Sequence, residues 1–210
     1  DGMNIVLQID RGERADESGE SWAGARRYLL AADQEPQRIG STLLEEPGPV
    51  NMGDPRTLQA FIRWGRESYP AQHVALWLWG YGGDWRNMTA DQSGADVLTL
   101  LELGEALAGA LSGGPQLDLV ALDTGYGDQL AALARLQPYA RYALLSGGLP
   151  PQQGWHFQTL LAELQATSPA DGSALAAAMA QHLPPAEAAP LASVTAVDLQ
   201  GVAPLLAALQ

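Results

Sequence analysis

The sequence predicts an α/β protein: a three-layer α/β/α sandwich with a mostly parallel sheet. Short apolar runs, which are typical of buried strands, alternate with segments whose apolar residues recur at helical spacing. This alternation indicates βαβ units, in which a helix connects two parallel strands. A chain of 210 residues is long enough for one domain with a sizeable core. We therefore expect a single domain over residues 1–210.

The predicted elements follow one another along the chain, and only the first part departs from strict alternation. There, a first strand at residues 3–10 precedes a hairpin predicted over residues 27–32 and 39–44. We interpret residues 11–21 and 46–52 as loops. The remaining predicted strands cover residues 74–79, 117–122, 141–145 and 193–198. The predicted helices cover residues 54–69, 99–111, 128–136, 157–166, 173–182 and 202–209.

Two of the predicted helices begin with recognisable capping residues. Asp54 can accept hydrogen bonds from free backbone amides, and Pro55 suits the first helical position. Thr99 and Glu102 have the spacing of a capping box, in which each side chain bonds the backbone of the other residue. These residues fix where the two helices start.

Composition argues against several classes of function. The net charge is −13, with 24 acidic residues against 11 arginines and no lysine, so phosphate repulsion disfavours binding to nucleic acid. No apolar run approaches the roughly 20 residues needed to span a bilayer. The chain contains no cysteine, which removes disulfides, thiolate metal sites and thiol catalysis. Its His, Asp and Glu residues show no metal-ligand spacing, and we expect neither a metal nor a cofactor.

Two predicted strands run into turns that contain glycine, the arrangement that places side chains at the edge of a parallel sheet where ligands usually bind. Glycines in these turns would let a ligand backbone approach closely, although they also suit a tight turn. The two turns contain six candidate ligand-binding residues: Tyr81, Gly82, Gly83, Asp123, Thr124 and Gly125.

The sequence NMGDPRTLQAFIRW at residues 51–64, with YPA at residues 69–71 and ALWLW at residues 75–79, resembles the clostripain family of cysteine peptidases. These are bacterial members of the caspase-like clan. The similarity continues in the same order through residues 91–100, 117–123, 154–155 and 194–199. The resemblance covers nearly the whole chain and implies a caspase-like sheet in a bacterial protein. It leaves the cellular compartment open.

The same resemblance implies that the catalytic residues are replaced. In the family, one strand ends in Trp-x-His-Gly-x-Gly-Trp and the next core strand ends in Asp-Ala-Cys. Here the matching stretches read WGYGGDW at residues 79–85 and DTG at residues 123–125, so Tyr81 stands at the histidine and Gly125 at the cysteine. An acid that helps family members hold an arginine or lysine side chain corresponds to Gln153, whereas the other candidate acid, Asp123, is present.

These replacements remove the chemistry of a cysteine peptidase. Thiol catalysis needs a thiolate beside a proton-transferring imidazole. Gly125 has no side chain, and a tyrosine such as Tyr81 ionises near pH 10 in model compounds, which makes it a poor base at neutral pH. His156 follows Gly154 and Trp155 in a loop expected near the same edge of the sheet, and it is the histidine that we consider for ligand binding.

Three functions are open at this point. The first is a pseudopeptidase, a non-catalytic family member whose cleft binds a peptide or an effector carrying a basic side chain, with Asp123 as the partner. The second is a hydrolase with relocated catalytic residues such as His156 or Ser146. The third is an interaction module of a longer protein.

The resemblance also predicts an incomplete sheet. The family has one further strand, between those matching residues 3–10 and 74–79, and no segment of this sequence matches it. The domain is therefore expected to be incomplete at its N-terminus. An upstream segment, direct pairing of residues 3–10 with 74–79, or a strand from a partner chain could each satisfy the exposed strand edges. For the residues present, we expect direct pairing or a partner strand.

Overall fold

A computed structural model of the chain describes residues 2–11, 22–31, 39–80, 89–91, 96–124, 130–147, 157–167, 169–181 and 193–208. The strands are β1 (Val6–Arg11), β2 (Gly24–Leu29), β3 (Thr42–Gly48), β4 (Ala75–Trp79), β5 (Thr89–Asp91), β6 (Asp96–Leu98), β7 (Leu117–Asp123), β8 (Ala140–Gly147) and β9 (Ser193–Asp198). The helices are α1 (Pro55–Ser68), α2 (Leu100–Leu111), α3 (Leu130–Leu136), α4 (Phe157–Ala166), α5 (Gly172–Gln181) and α6 (Val202–Ala208), with a 3-10 turn at Leu199–Gly201.

The central sheet has the strand order β4-β7-β8-β9. β4 pairs with β7, and β7 with β8, in parallel, whereas β9 is antiparallel to β8. The predicted α/β fold with a mostly parallel central sheet is confirmed.

Helices cover both faces of this sheet, which gives the predicted three layers. Because successive side chains of a strand point to opposite faces, β7 contributes to two separate cores. Val120 and Leu122 pack toward α1, α2, α3 and α6, and Leu119 and Ala121 pack toward α4 and α5. The side chains at the centre of the two cores are fully buried: Leu103, Leu107, Leu136, Leu144, Leu145 and Leu160.

The two predicted helix starts are confirmed at the level of individual hydrogen bonds. The Asp54 carboxylate accepts from the Arg56 backbone amide at 2.8 Å, directly before Pro55. At the start of α2, the Glu102 amide donates to the Thr99 hydroxyl at 3.2 Å, and the Thr99 amide donates to the Glu102 carboxylate at 2.9 Å. This reciprocal pair is a complete capping box.

A separate antiparallel sheet of order β1-β2-β3 contains the predicted hairpin. The pairing of β2 with β3 was predicted correctly, but β2 begins three residues earlier and β3 three residues later than the sequence suggested. Residues 46–48, predicted as loop, belong to β3. Pro47 is tolerated there because β3 forms the edge of the sheet, where one side of the strand needs no backbone partner.

β1 and β4 do not pair with each other, and the expectation of direct pairing is therefore wrong. β1 pairs instead with β2, and α1 contacts the same sheet through the Trp64 indole, which donates to the Glu45 carboxylate of β3 at 2.7 Å. α1 also packs Leu58 and Ile62 into the same core as Leu76 of β4. The helix thus contacts both sheets, and a further strand from an upstream segment or a partner chain stays a prediction.

Candidate functional site

The two strands that lead into the candidate turns are neighbours in the central sheet. β4 and β7 run parallel in a register that sets Trp79 beside Asp123, and the Gly80 amide donates to the Asp123 carbonyl at 3.2 Å. Tyr81 and Gly125 each follow this pair by two residues. The carboxyl ends of both strands therefore lie at one edge of the sheet.

Five of the candidate residues lie outside the residues that the structure describes: Tyr81, Gly82, Gly83, Gly125 and His156. Their placement around a common cleft stays a prediction. Asp123 and Thr124 lie within the described residues, and their contacts and burial characterise the site.

Asp123 lies in a lateral row of side chains that crosses the sheet near its carboxyl edge. β7 and β8 are in register at Leu122 and Leu145, so the next residues along, Asp123 and Ser146, are also adjacent. Both lie on the face covered by α4 and α5, since they are two residues beyond Ala121 and Leu144 of that core. On the other side of Asp123, Trp79 is 61% exposed. The row thus passes from an exposed indole to a buried carboxylate and a buried hydroxyl.

These polar groups are removed from solvent. Asp123 and Thr124 have no exposed surface, and Ser146 is 2% exposed. The Thr124 hydroxyl has no hydrogen-bond partner among the described residues. Burying polar groups in this way is costly, and a group that lacks a partner in one state of a protein is a natural contact for a ligand in another.

The surroundings of Ser146 do not resemble those of an activated nucleophile. Its hydroxyl donates to the Leu122 carbonyl at 2.9 Å, and this bond uses the proton that a general base would have to remove. The described residues contain no histidine near Ser146, since His73 contacts Asp118 at the opposite end of the sheet. In this structure the Ser146 hydroxyl therefore links β8 to β7.

Sequence reasoning missed a second acidic group, formed by Asp10 and Asp91. The Asp91 carboxylate is 7% exposed and accepts from the Met52 amide at 2.8 Å. Burial of Asp10, and then the nearby negative charge of Asp91, raise the pKa of the Asp10 carboxyl above its usual value. Backbone amides of Arg11 and Val50 bond the same carboxylate and oppose that shift.

The turn that precedes α1 is hydrogen-bonded to the small antiparallel pair of strands β5 and β6, which we did not predict from the sequence. The Asn51 side-chain amide donates to the Asp96 carboxylate at 2.6 Å, and the Gly53 amide donates to the Asn51 side-chain oxygen at 2.8 Å. A Cβ at Gly53 would come within 2.8 Å of the Val97 backbone nitrogen. A further contact brings the hairpin to the candidate edge, because a Cβ at Gly80 would lie 3.0 Å from the Thr89 side chain.

The sequence contains only a weak indication of this region: acids recur at Asp10, Asp91 and Asp96, and the last two flank a short polar segment. Strands of three residues carry too little periodicity to be recognised by pattern alone.

Among the described residues, no group of three or more His, Asp or Glu side chains is placed to hold a metal ion. The same part of the chain contains no helix that is long and apolar enough to cross a membrane.

Comparison with known proteins identifies relatives of this architecture. The sequence pattern of the clostripain family (Peptidase C11) matches residues 2–183. A secreted C11 cysteine protease from Bacteroides thetaiotaomicron, solved with an irreversible peptide inhibitor, superimposes with a TM-score of 0.75 at 17% identity. An inactive zymogen of a C11 protease from Parabacteroides distasonis superimposes with a TM-score of 0.72, also at 17% identity. No curated protein matches the chain.

These similarities cover nearly all of this chain but only part of the relatives. The alignment covers 98% of this chain and 58% of the Bacteroides protease, and 97% of this chain and 54% of the Parabacteroides zymogen. This chain thus spans little more than half the length of either solved chain. At this identity the solved structures establish the fold.

Proposed function

This chain belongs to the clostripain family, and we propose that it is a non-catalytic member, a pseudopeptidase, whose remaining cleft binds a peptide or an effector through a basic side chain. The observation that carries the proposal is the absence of any cysteine from the 210 residues. A thiol nucleophile cannot be supplied by this chain, and Gly125 offers no other atom in its place. Loss of the nucleophile of a triad enzyme lowers turnover by about 10⁶ in the subtilisin example.

Asp123 is the residue that we assign to ligand binding. It lies at the carboxyl end of a central strand, beside the exposed indole of Trp79. A carboxylate is the natural partner of a guanidinium or ammonium group, and a charge-assisted hydrogen bond to it is stronger than a neutral one. Because Asp123 has no exposed surface in this structure, binding through its carboxylate requires a rearrangement of the surrounding chain.

Direct binding measurements test this assignment. The probe is the labelled peptide amide Ala-Ala-Arg-NH₂, compared with Ala-Ala-citrulline-NH₂, which has nearly the same shape without the positive charge. We expect the arginyl peptide to bind more tightly, and Asp123→Asn to weaken its binding about tenfold or more, since a hydrogen bond to a charged group is lost. Glu105→Gln is the control, because it removes one negative charge from an exposed position on α2.

Two results would count against the assignment. One is equal binding of the arginyl and citrulline peptides; the other is unchanged binding in Asp123→Asn when circular dichroism shows that the variant is folded. The proposal of a non-catalytic protein would survive either result, because it rests on the missing thiol.

The competing functions receive less support. A hydrolase based on Ser146 would need the buried hydroxyl to leave the Leu122 carbonyl and find a base. An interaction module, in which a partner chain adds a strand between β1 and β4, is compatible with the separate sheets that contain those strands. A measurement of mass in solution tests that arrangement independently of peptide binding.

A further inference from the structure

A cavity of about 250 Å³ lies at the end of the central sheet opposite the candidate cleft. It is bounded by the end of α1 and by the amino ends of β4 and β7. Its walls combine apolar proline rings with polar side chains: Arg66, Pro70, Gln72, Pro115, Gln116 and Asp118. The residues discussed for peptide binding are at the other end of the same strands, so this cavity is separate from them.

Arg66 distinguishes the cavity from an ordinary surface depression. The residue is half-buried, and its guanidinium has neither a hydrogen-bond nor an ion-pair partner among the described residues. Arg26, Arg27 and Arg56, by contrast, each contact a carboxylate at 2.8 Å. A guanidinium without a protein partner is the group in this wall that an anionic ligand would bind.

Gly114 lies close to the Arg66 guanidinium. A Cβ added at Gly114 would lie 3.2 Å from Nη2 and 3.5 Å from Nη1 of Arg66. A side chain at residue 114 would therefore crowd these two nitrogens. A flat anion that accepts from both nitrogens at once has the geometry that a guanidinium binds best.

Asp118 lines the same cavity but forms no ion pair with Arg66, and its carboxylate oxygens contact other groups. Oδ2 accepts from the Val74 amide at 2.8 Å, and Oδ1 lies 3.0 Å from Nδ1 of His73. Asp118 also contributes a carboxylate to the cavity wall, which repels a ligand with two negative charges, such as phosphate, more strongly than a ligand with one.

We propose that this cavity binds the carboxylate of a small organic acid or of a peptide C-terminus. Arg66 would accept the carboxylate in a bidentate pair, and a donor on the ligand, such as an amide N–H, would face the polar wall of Gln72, Gln116 and Asp118. The cavity is smaller than the 300–1,000 Å³ typical of drug-sized ligands, which suits a ligand of one or two residues.

Titration of the purified chain with N-acetylglycine, followed by two-dimensional NMR, tests the proposal. N-acetylglycinamide is the neutral comparison, since it differs only in its missing charge. We expect saturable shifts with the acid, centred on residues 66, 72 and 116, and no saturable shifts with the amide. Arg66→Gln should weaken binding about tenfold or more, whereas Arg56→Gln, an exposed change of equal charge at the other end of α1, should not.

A second variant separates binding from a structural role of Arg66, whose charge also lies in the last turn of α1, where it stabilises the helix end. Gly114→Val retains the arginine but places a side chain against its guanidinium, and we expect it to abolish the shifts. The tripeptide Ala-Ala-Ala and its C-terminal amide distinguish the two ligand sources. Tighter binding of the free tripeptide than of N-acetylglycine indicates a peptide C-terminus, and equal or weaker binding indicates a small acid.

Three outcomes would overturn the proposal. They are no saturable binding of any carboxylate up to about 50 mM, equal binding of the acid and the amide, and unchanged binding in folded Arg66→Gln and Gly114→Val. A loss of stability in Arg66→Gln with unchanged binding would show that Arg66 only stabilises the C-terminal end of α1.

Discussion

Asp123 is completely buried at the end of a central strand, next to Ser146 of the neighbouring strand. The apolar run before it predicts a buried strand, and its position at the end of that run predicts a place at the sheet edge. Its complete burial beside Ser146 could not be predicted, because the burial depends on the register of β7 with β8 and on helices that are distant in sequence.

Asp10 provides a prediction at the same scale. Its pKa is higher in the folded protein than the ordinary value of 3.8, so the folded chain holds the proton more tightly than the unfolded chain does. Ionised Asp10 therefore lowers stability at pH values above the raised pKa, and this loss disappears as pH falls toward 3.8. We expect Asp10→Asn to raise the free energy of unfolding at pH 7 by less than about 1 kcal/mol, since water screens a half-buried charge.

Urea denaturation of both proteins between pH 7 and pH 4 measures this effect. The difference in the free energy of unfolding should shrink as pH falls. A difference that grows toward low pH would contradict the interpretation. Glu105→Gln, at an exposed position, should produce no comparable pH dependence.

At the scale of elements, helix boundaries were predicted more accurately than strand boundaries. Asp54 and Thr99 cap the starts of α1 and α2 through hydrogen bonds to residues that are close in sequence, and both helix starts were predicted correctly. The ends of β2 and β3 depend on pairing between strands and on a bulge near Arg27, neither of which a local pattern records. The three-residue strands β5 and β6 were missed for the same reason.

Two glycines near α1 should respond oppositely to the same substitution. At Gly53 a Cβ would meet the backbone of β6 at 2.8 Å, so Gly53→Ala should lower the free energy of unfolding by about 1–3 kcal/mol. At Gly65, inside α1, the Cβ would make an ordinary contact at 3.7 Å with Val6. Gly65→Ala should therefore stabilise the protein by about 0.5–1 kcal/mol through helix propensity. Chemical denaturation checks both, and a stabilised Gly53→Ala would contradict the proposed packing of the hairpin.

Two leucines of α2 should differ in how much their replacement by alanine lowers the free energy of unfolding. Leu107 is completely buried against the sheet, and Leu101, on the same helix, is 52% exposed. Leu107→Ala should cost about 2–5 kcal/mol because it leaves a cavity in the core. Leu101→Ala should change the free energy of unfolding by no more than about 0.5 kcal/mol. Similar losses in thermal or urea unfolding would show that the helix is oriented differently.

At the scale of the whole molecule, the alternation of strands and helices predicted the α/β class, and the spaced motifs indicated the family. The sequence pattern of the clostripain family and the superposition on a C11 protease with a TM-score of 0.75 support both, although only 17% of the aligned residues are identical. Fold conservation at this identity reflects patterning of buried positions, which tolerates exchange among apolar side chains. Direct pairing of β1 with β4, one of the two arrangements expected for these residues, is not found, because strand order is decided by contacts between distant segments.

The central claim is that this chain retains a peptidase fold without peptidase chemistry. The most direct test is the rate at which the purified chain hydrolyses fluorogenic arginyl and lysyl peptide amides at neutral pH. We predict a rate equal to that of buffer alone, because no thiol is present in the chain. Saturable hydrolysis that co-purifies with the protein and is abolished by His156→Ala would contradict the claim.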